Sequence, residues 1–117
     1  MYTLKFQHHF DAAHKLNDYE GACANLHGHR WLINVIVKGY TLNKTGILID
    51  FKDLKKIIDE LDHTYLNDIV PDNPTAENIS KYLYEKINNY CSTLINISYV
   101  MSVEVFESPN ASIIYEI

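Results

Sequence analysis

The most constraining feature of this sequence is a histidine pair that leads directly into a long apolar strand. His27 and His29 are separated by one glycine, and the apolar run of residues 31–37 (WLINVIV) follows at once. A short run rich in β-branched residues is typical of a β-strand. If the strand begins near His27, the two imidazoles leave the same face, because side chains two residues apart in a strand do so. The pattern predicts a strand that begins with two candidate metal ligands.

A metal site needs more than two imidazoles, and His14 is the third candidate. It stands at the end of an earlier strand-like run. Three neutral imidazoles leave a fourth tetrahedral position free, as in catalytic zinc sites. Cys23 precedes His27 closely, and a nearby zinc ion would favour its thiolate as a base or nucleophile. It could instead be a fourth ligand that closes the site, and a chance histidine pair is the third interpretation.

Composition narrows the class of function. A chain of 117 residues is long enough for one domain with a single core, so we expect one domain over residues 1–117. The net charge of −5 argues against a nucleic-acid partner. The two cysteines form no spaced framework of the secreted type. We find no N-terminal apolar signal and no run of membrane-spanning length, and therefore expect a cytoplasmic protein with no membrane partner.

Hydrophobic periodicity predicts the element order β-β-α-α-β-β. Strands are expected over residues 2–10, 29–40, 96–107 and 111–117, and helices over residues 51–61 and 76–91. Thr75 is expected to cap the second helix, with Glu77 in its first turn. This order favours an α+β fold, with an antiparallel four-stranded sheet and two helices on one face. Its two open edges are a liability that assembly would remove.

Three further polar residues could take part in chemistry. Asp62 and His63 are adjacent at the expected end of the first helix, and a histidine beside a carboxylate can move protons near neutral pH. Neighbours on a helix do not face each other, however, so a polar helix end is the favoured interpretation of this pair taken alone. Glu107 ends an apolar strand. It could accept two parallel hydrogen bonds from a guanidine-like edge, or be a solvated strand end.

Six motifs in one order make the chain resemble the 6-pyruvoyltetrahydropterin synthase superfamily over nearly its whole length. They are residues 10–14 (FDAAH), Cys23 with residues 27–29 (HGH), residues 46–54 (GILIDFKDL), residues 61–63 (LDH) with residues 66–67 (LN), residues 74–78 (PTAEN) and residues 105–107 (VFE). The three residues between Cys23 and His27 resemble the bacterial branch that makes 6-carboxy-5,6,7,8-tetrahydropterin for queuosine biosynthesis. Pyruvoyl-forming members usually have a longer insertion there. A branch with glutamate at the thiol position is disfavoured by Cys23.

The resemblance implies a fold and a site. The fold is the tunnelling fold, in which trimers close their sheets into a barrel and two trimers stack into a homohexamer, with the active site at a subunit interface. The implied roles are zinc binding by His14, His27 and His29, a catalytic base in Cys23, and a second proton-transfer pair in Asp62 and His63 of a neighbouring subunit. Glu107 would anchor the amino-pyrimidine edge of a pterin, with Thr75 and Phe51 near the ring and Lys15, Arg30 and His8 as candidates for triphosphate contacts.

The implied reaction starts from 7,8-dihydroneopterin triphosphate. Zinc would act as a Lewis acid on the side-chain hydroxyls, Cys23 would remove a carbon-bound proton, and triphosphate would leave. Carboxy-forming members then cut the side chain and release acetaldehyde, which makes them lyases. Two alternatives stay open: a pyruvoyl-forming synthase that keeps the side chain, and a non-catalytic, zinc-stabilised binding protein in which Cys23 is a ligand.

Overall fold

One sheet runs the length of the molecule, and two helices cover one of its faces. The computed structural model describes residues 1–117. The strands are β1 (Tyr2–His14), β2 (His27–Gly39), β3 (Thr64–Tyr65), β4 (Ser98–Ser108) and β5 (Ala111–Glu116), and the helices are α1 (Phe51–Asp59) and α2 (Ala76–Ser92). Short 3-10 turns lie at Ala22–Ala24 and Leu66–Asp68. Neither helix is both long enough and apolar enough to span a bilayer.

The sheet has one more strand than the sequence predicts. β3 pairs in parallel with β1, with Ala12 opposite Thr64 and Ala13 opposite Tyr65, and the strand order is β3-β1-β2-β4-β5. The prediction of a four-stranded antiparallel sheet is therefore wrong, and the sheet is mixed with five strands. A strand of two residues shows no periodicity that a sequence pattern can detect. The α+β class and the two helices are confirmed.

β1 continues to His14, beyond the predicted strand end at residue 10. It pairs with β2 without interruption, from Tyr2 opposite Gly39 to His14 opposite His27. Because the register is unbroken, alternation holds along both strands and Phe10 and His14 are buried on the same face. That face is the one the helices cover, since β1 contacts α1 there through Phe6 and Phe51. His14 and His27 therefore lie together at one end of the sheet.

Both helices begin at side-chain caps. The Asp50 carboxylate accepts from the Lys52 N–H at 2.9 Å, and the Thr75 hydroxyl accepts from the Asn78 N–H at 3.1 Å, as the sequence predicts for Thr75. α1 ends at Asp59 rather than at residue 61. The two residues expected to close the helix, Asp62 and His63, therefore lie in a turn after it.

The core fills the space between the sheet and the helices. Its sheet side is the alternating row of β2, and its helix side is one apolar stripe from each helix. The fully buried members include Trp31, Ile33, Val35, Val37, Leu54, Ile58, Ile79, Leu83 and Ile87. This packed layer fixes the ends of β1, β2 and β4 relative to the beginning of α2, which is where the candidate site lies.

Candidate functional site

Four side chains converge at the end of the sheet. His14 comes from the end of β1, His27 and His29 from the beginning of β2, and Glu107 from the end of β4. One ligand atom of each lies within 4.8 Å of those of the others. The β4–β5 register shifts between Phe106 and Ser108, so Glu107 lies at a bulge, a feature that re-aims side chains. We call these four residues the histidine group.

Backbone carbonyls fix the tautomers of two of the imidazoles. Nδ1 of His14 donates to the Pro74 carbonyl oxygen at 2.7 Å, and Nδ1 of His27 donates to the Asn25 carbonyl oxygen at 2.7 Å. A carbonyl oxygen can only accept, so each neutral ring carries its proton on Nδ1 and a lone pair on Nε2. The two Nε2 atoms lie 3.0 Å apart. Two lone pairs at that separation repel unless a cation lies between them.

His29 completes the set with a polar atom that has no hydrogen-bond partner. Its Nε2 is buried and lies 3.3 Å from Oε1 of Glu107 without forming a hydrogen bond. Burial lowers the pKa of both His14 and His29 below the ordinary value of 6.5, although the Glu107 carboxylate opposes this. Neutral imidazole is the form that binds metal ions. The three imidazoles therefore fit a metal ion, and the Glu107 carboxylate lies beside them.

Cys23 lies in the loop between two members of the histidine group. This loop leaves β1 after His14 and returns at His27. The Cys23 carbonyl oxygen accepts from the Leu16 N–H at 2.8 Å, and the thiol is partly exposed. Its sulfur is not among the converging ligand atoms. The geometry thus separates Cys23 from the metal-ligating set and leaves it accessible.

Thr75 also belongs to this end of the molecule. It caps α2 and directly follows Pro74, whose carbonyl oxygen holds His14. The first turn of α2 therefore lies next to the histidine group. The sequence did not predict that the carbonyls of Pro74 and Asn25 bind the histidines. Every residue has a backbone carbonyl, and only the fold decides which one faces a given side chain.

Asp62 and His63 form a pair, and neither is among the converging side chains of the histidine group. Oδ2 of Asp62 lies 3.4 Å from Nε2 of His63, since a turn with φ +57° at His63 lets the neighbours face each other. Asp62 accepts from the Asp11 N–H at 2.9 Å, and the His63 N–H donates to the Asp11 carbonyl at 2.7 Å. The pair is thereby fixed at the outer edge of β1.

Phe51 lies still farther from the histidine group. It stacks on Phe6 with ring centroids 6.0 Å apart and lines a cavity of about 430 Å³ near the beginning of β1. Phe6 and His14 are separated by eight strand residues, which corresponds to about 26 Å. Of the candidates for triphosphate contacts, Arg30 forms a two-point ion pair with Asp11 and His8 contacts Asp59.

Comparison with known proteins gives one consistent family. The model of the family described as 6-pyruvoyl tetrahydropterin synthase matches residues 3–117. A Bacillus subtilis relative named 6-carboxy-5,6,7,8-tetrahydropterin synthase is 34% identical over 123 residues, covering 97% of this chain and 84% of the relative. A Pyrococcus furiosus relative named dihydroneopterin monophosphate aldolase is 45% identical over 84 residues, covering 67% of this chain and 68% of the relative.

The fold agrees with this result. The structure of 6-pyruvoyl tetrahydropterin synthase from Caenorhabditis elegans superposes with a TM-score of 0.76 at 26% identity, covering 98% of this chain and 94% of that one. Because the family match, the Bacillus subtilis relative and the fold all extend over nearly the whole chain, the chain belongs to the 6-pyruvoyl tetrahydropterin synthase family of pterin enzymes.

Proposed function

We propose that this chain is a zinc-dependent lyase that converts 7,8-dihydroneopterin triphosphate into 6-carboxy-5,6,7,8-tetrahydropterin, triphosphate and acetaldehyde, a step of queuosine biosynthesis. The observation that carries the proposal is the convergence of three imidazoles whose free nitrogens point to one place. The Bacillus subtilis relative, which bears the name of this activity, aligns over 97% of the chain.

His14, His27 and His29 would hold the zinc ion, with the carbonyls of Pro74 and Asn25 fixing two of the rings. When bound, zinc supplies Lewis acidity toward the hydroxyl oxygens of the substrate side chain. Neutral imidazoles suit this role, since they leave the ion its full positive charge. Burial favours the neutral form of His14 and His29.

Cys23 would take the carbon-bound proton of the substrate side chain. Its thiol is partly exposed in the loop between His14 and His27 and lies outside the set of ligand atoms, so it is free to approach a substrate carbon without being held by a metal. Glu107 would accept two parallel hydrogen bonds from the amino-pyrimidine edge of the pterin. The Thr75 segment would then lie along the ring, at the wall formed by the beginning of α2.

A second copy of the chain would complete this site. Asp62 and His63 lie at the outer edge of β1, where β3 covers only Ala12 and Ala13. β5 is the other edge of the sheet. Because β1, β2, β4 and β5 alternate in direction, β5 runs antiparallel to β1 and can pair with β1 of a neighbouring copy. We propose that trimers or hexamers form in this way and bring Asp62 and His63 to the histidine group of the next subunit.

Product analysis tests the proposal. Zinc-loaded protein is incubated with 7,8-dihydroneopterin triphosphate, and the products are identified by mass. A carboxylated tetrahydropterin together with acetaldehyde is expected. A pyruvoyl product with triphosphate release alone would assign the chain to the pyruvoyl-forming activity. No turnover by folded, zinc-loaded protein would contradict the enzymatic proposal.

One relative names a second substrate to test. The Pyrococcus furiosus protein is called an aldolase that acts on dihydroneopterin monophosphate, and it shares 45% identity over 84 residues. Dihydroneopterin monophosphate is therefore included in a parallel incubation. Cleavage of the monophosphate at a rate above that of the triphosphate would replace the proposed substrate and keep the metal site.

A further inference from the structure

Two asparagine side chains hold the segment that follows His14. Oδ1 of Asn67 accepts from the Lys15 N–H at 3.0 Å, and its Nδ2 donates to the Lys15 carbonyl at 2.9 Å. Asn73 makes the same pair of bonds to Asn17, at 2.9 and 3.2 Å. Each side-chain amide thus satisfies both backbone groups of one residue, and the two clamped residues are two apart, as in a strand ladder.

Leu16, between the two clamped residues, points its N–H the other way. It donates to the Cys23 carbonyl oxygen at 2.8 Å. Consecutive residues of an extended chain direct their backbone groups to opposite sides. Residues 15–17 therefore lie between the two side-chain amides on one side and the Cys23 turn on the other.

The clamping residues are themselves anchored. Asn67 lies in the 3-10 turn Leu66–Asp68, whose first residue Leu66 is fully buried. The Asn73 carbonyl oxygen accepts from Nδ2 of Asn78 in the first turn of α2 at 2.8 Å. A continuous series of contacts therefore runs from the core and from α2, through the asparagines and residues 15–17, to the turn that carries Cys23.

We propose that Asn67 and Asn73 are positioning residues that set the place of the Cys23 thiol relative to the histidine group. The other end of the Cys23 loop is fixed by the Asn25 carbonyl on His27. Without the two asparagines, residues 15–17 would lose their side-chain hydrogen bonds to the segment before α2, and the Leu16 bond to Cys23 would no longer be anchored to it. The catalytic consequence rests on the proposed function of Cys23, but the positioning itself can be measured without substrate.

Alkylation and hydrogen exchange test this inference on zinc-loaded protein. Cys91 is buried, so the rate of alkylation by iodoacetamide reports Cys23. Asn67→Ala and Asn73→Ala each remove two hydrogen bonds and should each speed alkylation by about fivefold or more, fivefold being the factor that one such bond represents. The Leu16 amide, which Asn67 and Asn73 do not touch, should exchange faster by a similar factor. Turnover should show a lower kcat with a nearly unchanged KM.

Asn96→Ala is the matched control. Nδ2 of Asn96 also donates to backbone carbonyls, those of Thr41 and Leu48, in a loop that has no contact with residues 15–17. Asn96→Ala should lower thermal stability and leave the rate of Cys23 alkylation unchanged. Equally faster Cys23 alkylation in Asn67→Ala, Asn73→Ala and Asn96→Ala would show general destabilisation and overturn the inference. Unchanged alkylation in both Asn67→Ala and Asn73→Ala would also overturn it.

Wild-type protein supplies an independent check if a clamp variant does not fold. The amides of Lys15, Leu16 and Asn17 lie outside every strand of the sheet, yet should exchange slowly and with a common opening rate. Rapid exchange at these three amides would refute the clamp. If alkylation and exchange behave as expected but no pterin product forms, the positioning stands and the proposed function fails.

Discussion

His14 and His27 present their Nε2 atoms to each other at 3.0 Å, while Nδ1 of each ring donates to a backbone carbonyl. This arrangement leaves two lone pairs in close contact beside the buried, unpartnered Nε2 of His29. Without a cation this arrangement is unfavourable, because two acceptor nitrogens face each other and one buried polar atom has no partner. A metal ion bound by the three Nε2 atoms would remove the repulsion between His14 and His27 and give His29 a partner.

His29→Ala should abolish stoichiometric zinc binding, and His9→Ala should not. His9 is exposed and lies outside the histidine group, so it controls for the loss of an imidazole. Because zinc binds the folded state, saturation at one hundred times Kd stabilises it by about 2.7 kcal/mol. Elemental analysis and thermal melts with and without a chelator measure both effects. Equal zinc content in the two variants would disprove the assignment of the site.

Cys23→Ala should keep the zinc, the fold and the melting temperature but lose turnover by a factor of about 100 to 10,000. The thiol lies outside the set of ligand atoms, so its removal leaves the metal in place. Cys91→Ala is the control, since Cys91 is a buried apolar contact and should affect stability alone. Loss of zinc from Cys23→Ala would instead favour the non-catalytic protein in which this cysteine is a ligand.

His63→Ala and Cys23→Ala should each be inactive alone and should regain activity when they are assembled together. His63→Ala lacks the edge pair and Cys23→Ala lacks the base, and in the proposed assembly these two groups come to each site from different chains. Random assembly of equal amounts gives an intact site at about one interface in four, so about a quarter of wild-type activity is expected. The mixture is unfolded and refolded together, then assayed. Activity no higher than that of either variant would mean that both groups act within one chain.

The sequence predicted the convergence of three histidines more fully than it predicted the sheet. His14, His27 and His29 could be predicted because strand alternation is a local rule, and an unbroken β1–β2 register carries it across two strands. β3 could not be predicted, since its two residues pair only because the turn after α1 lies beside β1. Local rules could not establish the contact between Asp62 and His63, which only the family resemblance implied, because it depends on a turn where a helix end was expected.

Asp59→Asn should lower the free energy of unfolding at neutral pH and leave it unchanged in acid. Hydrogen bonds from Lys55, and then from His8, lower the pKa of the Asp59 carboxyl below 3.8. The unfolded chain therefore binds the proton first, so the stabilisation is complete above 3.8 and is lost as pH falls through the lower folded value.

The side chain of Asp59 is 35% exposed, which limits the effect to below about 1 kcal/mol. Urea midpoints at neutral pH and in acid measure it. Asp72→Asn is the control, since Asp72 is exposed and takes no part in the ion pairs of Asp59. A difference between Asp59→Asn and wild type that persists at the lowest pH would show that packing, and not charge, is responsible.

Gly39→Ala should destabilise the fold by about 1–3 kcal/mol, because the end of β2 has no room for a methyl group. A Cβ at residue 39 would lie 2.6 Å from the Leu48 side chain and 2.7 Å from the Ile97 carbonyl oxygen. Gly28→Ala, at the other end of β2, is the control, since its Cβ would meet only the Ala12 carbonyl at 3.9 Å. Equilibrium unfolding in urea gives both values. Residue 39 lies at the end of β2 that is far from the histidine group. Gly39→Ala should therefore lower the urea midpoint and leave the zinc content at the wild-type level. Loss of zinc from the folded variant would contradict this separation.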